Sequence, residues 1–116
     1  MARAATTSDV FNAIAEKRRR RIIDLLAGGE LAVAELVHRL RLPQPAVSKH
    51  LGVLRRVRIV SVNRRGRRRL YRLNAAELRP VHDWIKNYER FWTHQLGRIK
   101  ERAEQKARDT QKENQS

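Results

Sequence analysis

The stretch from Val33 to Val57 constrains the fold of this chain most, because it predicts two short amphipathic helices in close succession. Apolar residues recur at three- to four-residue spacing over Val33–Leu40, which predicts one helix. Four residues separate this helix from Pro45, and proline is favoured at the first position of a helix. The second helix, from Pro45 to about Val57, has an apolar stripe formed by Val47, Leu51 and Leu54. Helices joined this tightly form a helix-turn-helix pair.

The segments around this pair predict further helices and one β-hairpin. From Ile59 the pattern becomes that of β-strands, with two β-prone runs, 59–63 and 70–73, around a turn that contains Gly66. The other predicted helices cover residues 8–15, 17–27, a short turn at 75–78, and a long helix from Pro80 to about Lys106. The order α-α-α-α-β-β-α is that of a winged helix-turn-helix, a mainly α fold with a small β-hairpin.

The length of 116 residues favours a single domain. We place it at residues 8–106, between a disordered tail, 1–7, and a flexible polar tail, 107–116. So small a domain buries a modest core, which makes pairing with a second copy plausible. No apolar run approaches the roughly 20 residues needed to cross a bilayer, and no signal-peptide pattern opens the chain. We therefore expect a cytoplasmic protein that does not contact membranes.

Positive charge is concentrated in one block of the chain. The sequence has 27 Lys or Arg against 12 Asp or Glu, a net charge of +15. Between Glu35 and Glu77 lie 41 residues without an acid, and 12 of them are Lys or Arg. Most of the basic residues are arginines, whose guanidinium suits phosphate oxygens and guanine edges. This concentration favours a polyanionic partner, most often nucleic acid.

Two motifs, QPAVSKHL at residues 44–51 and GRRRLYRL at residues 66–73, carry a family resemblance. Together they resemble the ArsR (arsenical-resistance-repressor) family of small dimeric bacterial transcriptional regulators. The resemblance implies a homodimeric regulator, expected to be a repressor, that binds double-stranded DNA at a palindromic operator. The second helix of the pair would enter the major groove, and the arginine-rich hairpin, the wing, would lie on the backbone or in the minor groove.

The metal-binding residues of this family are replaced here. Members that sense arsenic or cadmium carry Cys-Val-Cys where this chain has alanine at Ala32 and Ala34, and the chain has no cysteine at all. His82 and His94 invite comparison with zinc-sensing members, but Gly97 stands where a second carboxylate would be needed. We predict no metal site and no cofactor. A metal site at His82 and His94 is the alternative, and the effector is unknown.

A second departure lies at the end of the second helix. Many relatives have Ala-Gly there, and glycine supplies a left-handed turn. This chain has Val57-Arg58, and a left-handed arginine would cost about 1 kcal/mol. We therefore expect this helix end to differ from that of the relatives.

The candidate DNA contacts fall into two groups by their position on the pair and the wing. Three polar residues near the start of the second helix are expected to contact base edges: Gln44, Ser48 and Lys49. Seven arginines further along are expected to contact the DNA backbone or minor groove: Arg55, Arg56, Arg64, Arg65, Arg67, Arg68 and Arg69. The alternative for the helix is a solvated amphipathic face, and the alternative for the wing is a flexible, solvated tip.

Another basic run, Lys17–Arg21, opens a predicted helix, where cations oppose the helix dipole. Glu16, Asp24 or a DNA phosphate would offset this charge. Arg18 and Arg19 are therefore candidates for contact with the DNA backbone.

The terminal helices have more apolar surface than one small domain can cover. The predicted dimer interface combines one residue of the first helix with an aromatic-rich stripe on the last: Phe11, Trp84, Tyr88, Phe91, Trp92, Leu96 and Ile99. Packing within one chain is the alternative for part of this stripe.

Two other functional classes are alternatives to DNA binding. Scattered carboxylates and the absence of P-loop or GxSxG motifs predict that the chain is not an enzyme. An RNA-binding or ribosome-associated winged helix is the second alternative. Against it, Tyr71 is the one aromatic residue in the basic block, whereas single-strand binders stack bases on exposed aromatics.

Overall fold

A computed structural model describes residues 6–115, except for the side chains of residues 6–9, 94, 96 and 112–115. The described chain divides into two compact units, one ending at Val81 and one beginning at His82. The elements in chain order are α1 (Thr6–Ile14), α2 (Lys17–Leu26), β1 (Leu31–Ala32), α3 (Val33–Leu40), α4 (Gln44–Arg56), β2 (Val60–Arg65), β3 (Arg68–Leu73), a 3-10 turn (Ala75–Leu78), α5 (Arg79–Lys86) and α6 (Glu89–Gln115).

The core of the first unit lies between the helix-turn-helix pair, α1, α2 and the sheet. The stripe predicted for α4 is confirmed, because Val47, Leu51 and Leu54 are all buried. Burial of these side chains fixes which face of α4 remains exposed. The buried apolar residues are Val10, Ala13, Ile22, Leu26, Leu31, Leu36, Leu40, Val47, Leu51, Leu54, Val57, Ile59, Val60 and Tyr71.

The sheet has three antiparallel strands in the order β1-β3-β2. The hairpin was predicted, but its strands are longer than expected, since the arginines assigned to the turn continue the ladder as far as the pair Arg65 and Arg68. Gly66 occupies the turn with φ of +64°, a conformation that two-residue hairpin turns favour. Strand β1 was missed, because two residues are too few to show a period; Leu31 pairs with Tyr71 of β3.

The expectation that the α4 end would differ is wrong. Arg58 adopts a left-handed φ of +67° although it is not glycine. The backbone N–H groups of Arg58 and Ile59 donate to the carbonyls of Arg55 and Leu54, each at 3.0 Å. The Asn74 amide donates to the Arg58 carbonyl at 3.0 Å. These bonds and the complete burial of Ile59 offset the cost of about 1 kcal/mol for the backbone.

The single long helix predicted from Pro80 is instead two helices, α5 and α6. At the junction, the N–H groups of Asn87 and Tyr88 donate to the carbonyls three residues before them, at 3.2 and 2.8 Å. Such bonds form a tighter turn than the α-helix and interrupt it. Helix α6 also continues beyond the predicted end at Lys106, because residues 100–115 are mostly good helix formers with side-chain bonds such as Gln105 to Asp109 at 3.0 Å.

The tail predictions fall partly outside the described residues. Helix α1 begins at Thr6, two residues before the predicted start, an error within the usual uncertainty of helix ends. Residues 1–5 and 116 are not described, and the flexibility assigned to residues 107–116 stays a prediction. No helix in the described part of the chain is long and apolar enough to span a membrane.

Candidate nucleic-acid interface

The start of α4 presents the three residues predicted to contact bases. Pro43, with extended backbone, accepts hydrogen bonds from the N–H groups of Ala46 and Val47 at 3.1 and 3.2 Å, which sets the first turn. The side chains of Gln44, Ser48 and Lys49 are all exposed; Lys49 lies opposite the buried stripe, Ser48 lies on one shoulder of it, and Gln44 is the first residue of the helix. All three polar groups are therefore accessible from solvent near the start of α4, and their contact with base edges stays a prediction.

The same face of α4 is open along its length. Gly52 is exposed, and a Cβ placed on it would meet no other atom within 4 Å. One turn after Ser48, Gly52 leaves the backbone accessible between the polar groups and the basic end of the helix. Arg55 and Arg56 are exposed in the last turn, where cations complement the helix dipole. A long polyanion can follow this surface without meeting a bulky side chain at Gly52.

The wing holds five exposed arginines on and around its turn: Arg64, Arg65, Arg67, Arg68 and Arg69. Arg64 is paired across the hairpin with Arg69, and Arg65 with Arg68. Like charges that face each other on neighbouring strands are unfavourable. Among the side chains that the structure describes, Arg68 alone of the five has an acidic partner, Glu35, at 2.8 Å. The other four guanidinium groups are available to an external anion.

The basic run at the start of α2 is used differently. Arg19 Nε donates to the Ala13 carbonyl at 2.6 Å, and Arg19 Nη2 to the Asn12 carbonyl at 3.3 Å. Arg20 Nη1 donates to the carbonyls of Ile14 and Ala15 at 2.8 and 3.0 Å. The two arginines thus cap the last turn of α1, whose carbonyls lack partners within the helix.

The role of Arg20 was missed, because a basic run does not show which carbonyls its members reach. Glu16 supplies the offset predicted for the run, since its carboxylate accepts from the Arg19 N–H at 3.1 Å. The candidate contact Arg18 is exposed, whereas Arg19 is half-buried and engaged within the protein. Phosphate contact by either residue stays a prediction.

His50 links the start of α2 to α4. Its side chain is 13% exposed, and Nδ1 lies 3.8 Å from a Glu16 oxygen and 3.5 Å from Arg19 Nη1. Burial lowers the pKa of His50; the Glu16 carboxylate opposes this shift, while nearby Arg19, Arg18 and Lys49 add to it. Burial raises the pKa of Glu16, but the backbone N–H of Arg19 and the charge of His50 outweigh it, so this pKa also lies below its ordinary value. His50 therefore belongs to the packing between α2 and α4.

The residues considered for metal binding do not form a cluster in the described structure. No group of three His, Cys, Asp or Glu side chains there could hold an ion. His82 Nδ1 lies 3.3 Å from an Asp83 oxygen, and both side chains are exposed. The side chain of His94 lies outside the described part, so the absence of a site at His82 and His94 stays a prediction.

The second unit carries an exposed aromatic surface. Trp84, Tyr88, Phe91, Trp92 and Ile99 are between 45% and 62% exposed. Trp84 and Tyr88 meet edge to face with ring centroids 5.8 Å apart, and Arg90 lies over the Phe91 ring at 4.9 Å. In the first unit Phe11 is half-buried, and the Leu96 side chain lies outside the described residues. Exposed apolar groups in such number are typical of an interaction surface.

The comparisons with known proteins point to one family. The sequence model described as "Bacterial regulatory protein, arsR family" matches residues 16–62, which contain α2, β1, α3 and α4. The chain is 32% identical to the transcriptional repressor SdpR of Bacillus subtilis, over 70% of this chain and 90% of that protein. It is 41% identical to a helix-turn-helix-type transcriptional regulator of Mycobacterium tuberculosis, over 74% of this chain and 78% of that protein.

Solved structures agree with the sequence relatives. An ArsR-like transcriptional regulator from Rhodococcus superimposes with a TM-score of 0.65 at 27% identity, covering 83% of this chain and 91% of that one. The predicted winged helix-turn-helix fold is thereby confirmed. Because these relatives are named as transcriptional regulators, the prediction of a regulator rather than an enzyme is confirmed as well.

Proposed function

The chain belongs to the arsR family of bacterial regulatory proteins, and from that premise we propose that it is a homodimeric repressor that binds double-stranded DNA at a palindromic site. In each protomer α4 would enter the major groove, with Gln44, Ser48 and Lys49 at base edges. The wing would lie on the neighbouring backbone or in the minor groove. The protein would act in the cytoplasm, without a cofactor.

The observation that carries the proposal is the exposed face of α4, where polar, glycine and basic positions follow one another. Base-specific contacts need hydrogen-bonding side chains near the start of the inserted helix and a backbone that can approach the DNA. Gln44, Ser48 and Lys49 meet the first requirement, and the exposed Gly52 meets the second. Arg55 and Arg56 at the other end suit phosphates.

The charge of the wing supports contact with the sugar–phosphate backbone. Four of its arginines have no acidic partner among the described side chains, and cross-strand pairs hold like charges together. A phosphate backbone or a narrow minor groove relieves this repulsion. Tyr71 is buried, so no aromatic side chain of the described basic block is free to stack on bases, which favours duplex over single-stranded RNA.

The aromatic surface of the second unit supports the homodimer. Trp84, Tyr88, Phe91, Trp92 and Ile99 would be covered by the same surface of a second copy, as in an isologous interface. We keep Phe11 and Leu96 as interface residues on the sequence argument. Two protomers would then present two α4 helices to half-sites about one helical turn (~10 bp), or a multiple of it, apart.

Selection of bound fragments from the genomic DNA of the source organism, combined with sedimentation, tests this proposal. We expect enrichment of an imperfect palindrome and a mass of two chains at micromolar concentration. Enrichment without shared sequence would contradict base-specific recognition. Equal or tighter binding of structured RNA at the same salt concentration would favour the RNA alternative, and a monomer that binds the same palindrome would contradict the dimer.

A further inference from the structure

One wing arginine is held by the protein itself. Arg68 Nη2 lies 2.8 Å from Oε1 of Glu35, and the two side chains are 62% and 42% exposed. Glu35 is the acid that borders the acid-free stretch of the sequence, so it is the nearest acid before the wing along the chain. The pair is reached from solvent on both sides.

The backbone register builds this pair. Ala32 of β1 lies opposite Leu70 of β3, and residues two apart on a strand share a face, so Arg68 leaves the sheet on the side of Leu70. Glu35 stands three residues after Ala32, in the first turn of α3. Strand pairing therefore places the start of α3, which carries the carboxylate, beside the strand that carries the guanidinium.

The Glu35 carboxylate has a second donor that is independent of the wing. The backbone N–H of Ala32 donates to the same oxygen, Oε1, at 3.1 Å. Ala32 has no side-chain acceptor, so this bond is the half of the capping box that the chain retains. If Arg68 moves away, Oε1 still accepts a hydrogen bond from the Ala32 N–H. The ion pair can therefore open without leaving the carboxylate unpaired.

We propose that Glu35 competes with DNA phosphate for Arg68 and so weakens electrostatic binding to DNA of any sequence. The inference rests on the proposed function, since it requires the wing to meet phosphates. In the free protein Arg68 is paired with Glu35; on DNA a phosphate oxygen replaces the carboxylate, and Glu35 keeps its bond to Ala32. A chain of charge +15 is expected to bind DNA of any sequence, and a competitor on its wing lowers that affinity.

The test uses a short duplex of random sequence as the probe, with binding followed by fluorescence anisotropy. Glu35→Gln removes the charge but keeps a carbonyl oxygen for the Ala32 N–H. Glu30→Gln is the matched control, because it removes one nearby acid that no described ion pair engages. We expect E35Q to bind about two- to fivefold more tightly than E30Q, the range that an exposed ion pair is worth.

A double-mutant cycle with Arg68→Gln shows whether Glu35 acts through Arg68. In the R68Q background the advantage of E35Q over E30Q should disappear. If E35Q and E30Q tighten binding equally, or if the advantage of E35Q persists without Arg68, Glu35 contributes only its charge and the competition is refuted. The proposed function would survive that result, whereas a wild-type chain that binds no duplex would refute the proposed function itself.

The R68Q variant alone provides a second measurement that leaves α3 untouched. Because Arg68 must first leave Glu35, its loss should weaken duplex binding less than the loss of the unpaired Arg67 in Arg67→Gln. An R68Q defect equal to or larger than the R67Q defect would contradict the competition even if E35Q did not fold.

Discussion

Two arginine-rich runs of similar composition have opposite surroundings in this protein. The run Lys17–Arg21 opens α2, and two of its arginines donate to the last carbonyls of α1 at distances of 2.6 to 3.3 Å. The run Arg64–Arg69 forms the tip of the wing, where Arg68 alone has an acidic partner among the described side chains. Charge density therefore does not distinguish a structural arginine from a binding one; the availability of acceptors within the fold does.

The difference follows from what each run lies beside. A helix end offers free carbonyl oxygens, and an arginine placed after the turn can satisfy several at once. A hairpin tip uses its carbonyls in the ladder or exposes them to water, so among the described residues four of the five guanidinium groups at the tip have no acidic partner, and Arg68 alone has one, Glu35. A ligand that carries acceptors, such as the DNA backbone we propose, would supply partners for the arginines of the second run, whereas Arg19 and Arg20 of the first run already have acceptors within the protein.

Loss of Arg19 should have the largest effect on folding. Arg19→Ala removes two hydrogen bonds from a charged donor to the end of α1, and we expect a loss of about 2 kcal/mol in the free energy of unfolding. Chemical denaturation followed by circular dichroism measures it. Arg21→Ala is the matched control, since Arg21 is exposed on the same helix, and its effect should stay within about 0.5 kcal/mol. Equal losses of stability in the two variants would contradict the structural role that distinguishes Arg19 from the wing arginines.

Loss of a wing arginine should leave folding unchanged and weaken DNA binding. Arg67→Ala removes an exposed cation without a described partner, so we expect about 1 kcal/mol, roughly fivefold, weaker binding to duplexes of any sequence. The slope of log affinity against log salt should fall in magnitude by about 0.9, one phosphate contact. A titration at several salt concentrations measures both quantities. An unchanged slope would show that Arg67 does not meet a phosphate.

The smallest expected effect is a pH dependence of stability, which arises from His50 beside the run Lys17–Arg21. Burial lowers the pKa of His50 from its ordinary value of 6.5, so the unfolded chain takes up this proton at a higher pH than the folded chain. The contribution of neutral His50 to the free energy of unfolding is therefore fully present above pH 6.5. It is lost as the pH falls through the lowered pKa. Thermal unfolding across this range should show less pH dependence in His50→Gln than in the wild type. An identical pH dependence in both proteins would show that His50 does not couple folding to pH.

The sequence predicted the scaffold better than the partners of its charged side chains. The helix-turn-helix pair followed from the period of Val47, Leu51 and Leu54, because burial of one helix face leaves a regular pattern. Strand β1 and the pair of Glu35 with Arg68 could not be predicted, since both depend on strand register between segments more than 30 residues apart. Arg58 shows that tertiary hydrogen bonds can impose a backbone conformation that local preference opposes.

The break between α5 and α6 was also not predicted from the sequence. The apolar residues of this region favoured one helix, and Asn87 alone gave no sufficient signal to interrupt it. The interruption consists of backbone bonds over three residues, which leave no trace in an apolar pattern. Exposure at the start of α4 was predicted correctly for Gln44, Ser48 and Lys49. It could be predicted because the buried side of a helix determines which side faces solvent.

Sequence-specific recognition by α4 is tested most directly by Lys49→Ala in competition binding between the selected palindrome and random duplex. Lys106→Ala is the matched control, because Lys106 is also an exposed lysine but lies on α6. We predict that K49A loses about 1 to 3 kcal/mol of discrimination between the two DNAs, while K106A keeps the wild-type preference. If K49A weakens binding to both duplexes equally and leaves their ratio unchanged, Lys49 contacts only the backbone, and the assignment of base recognition to the start of α4 is wrong.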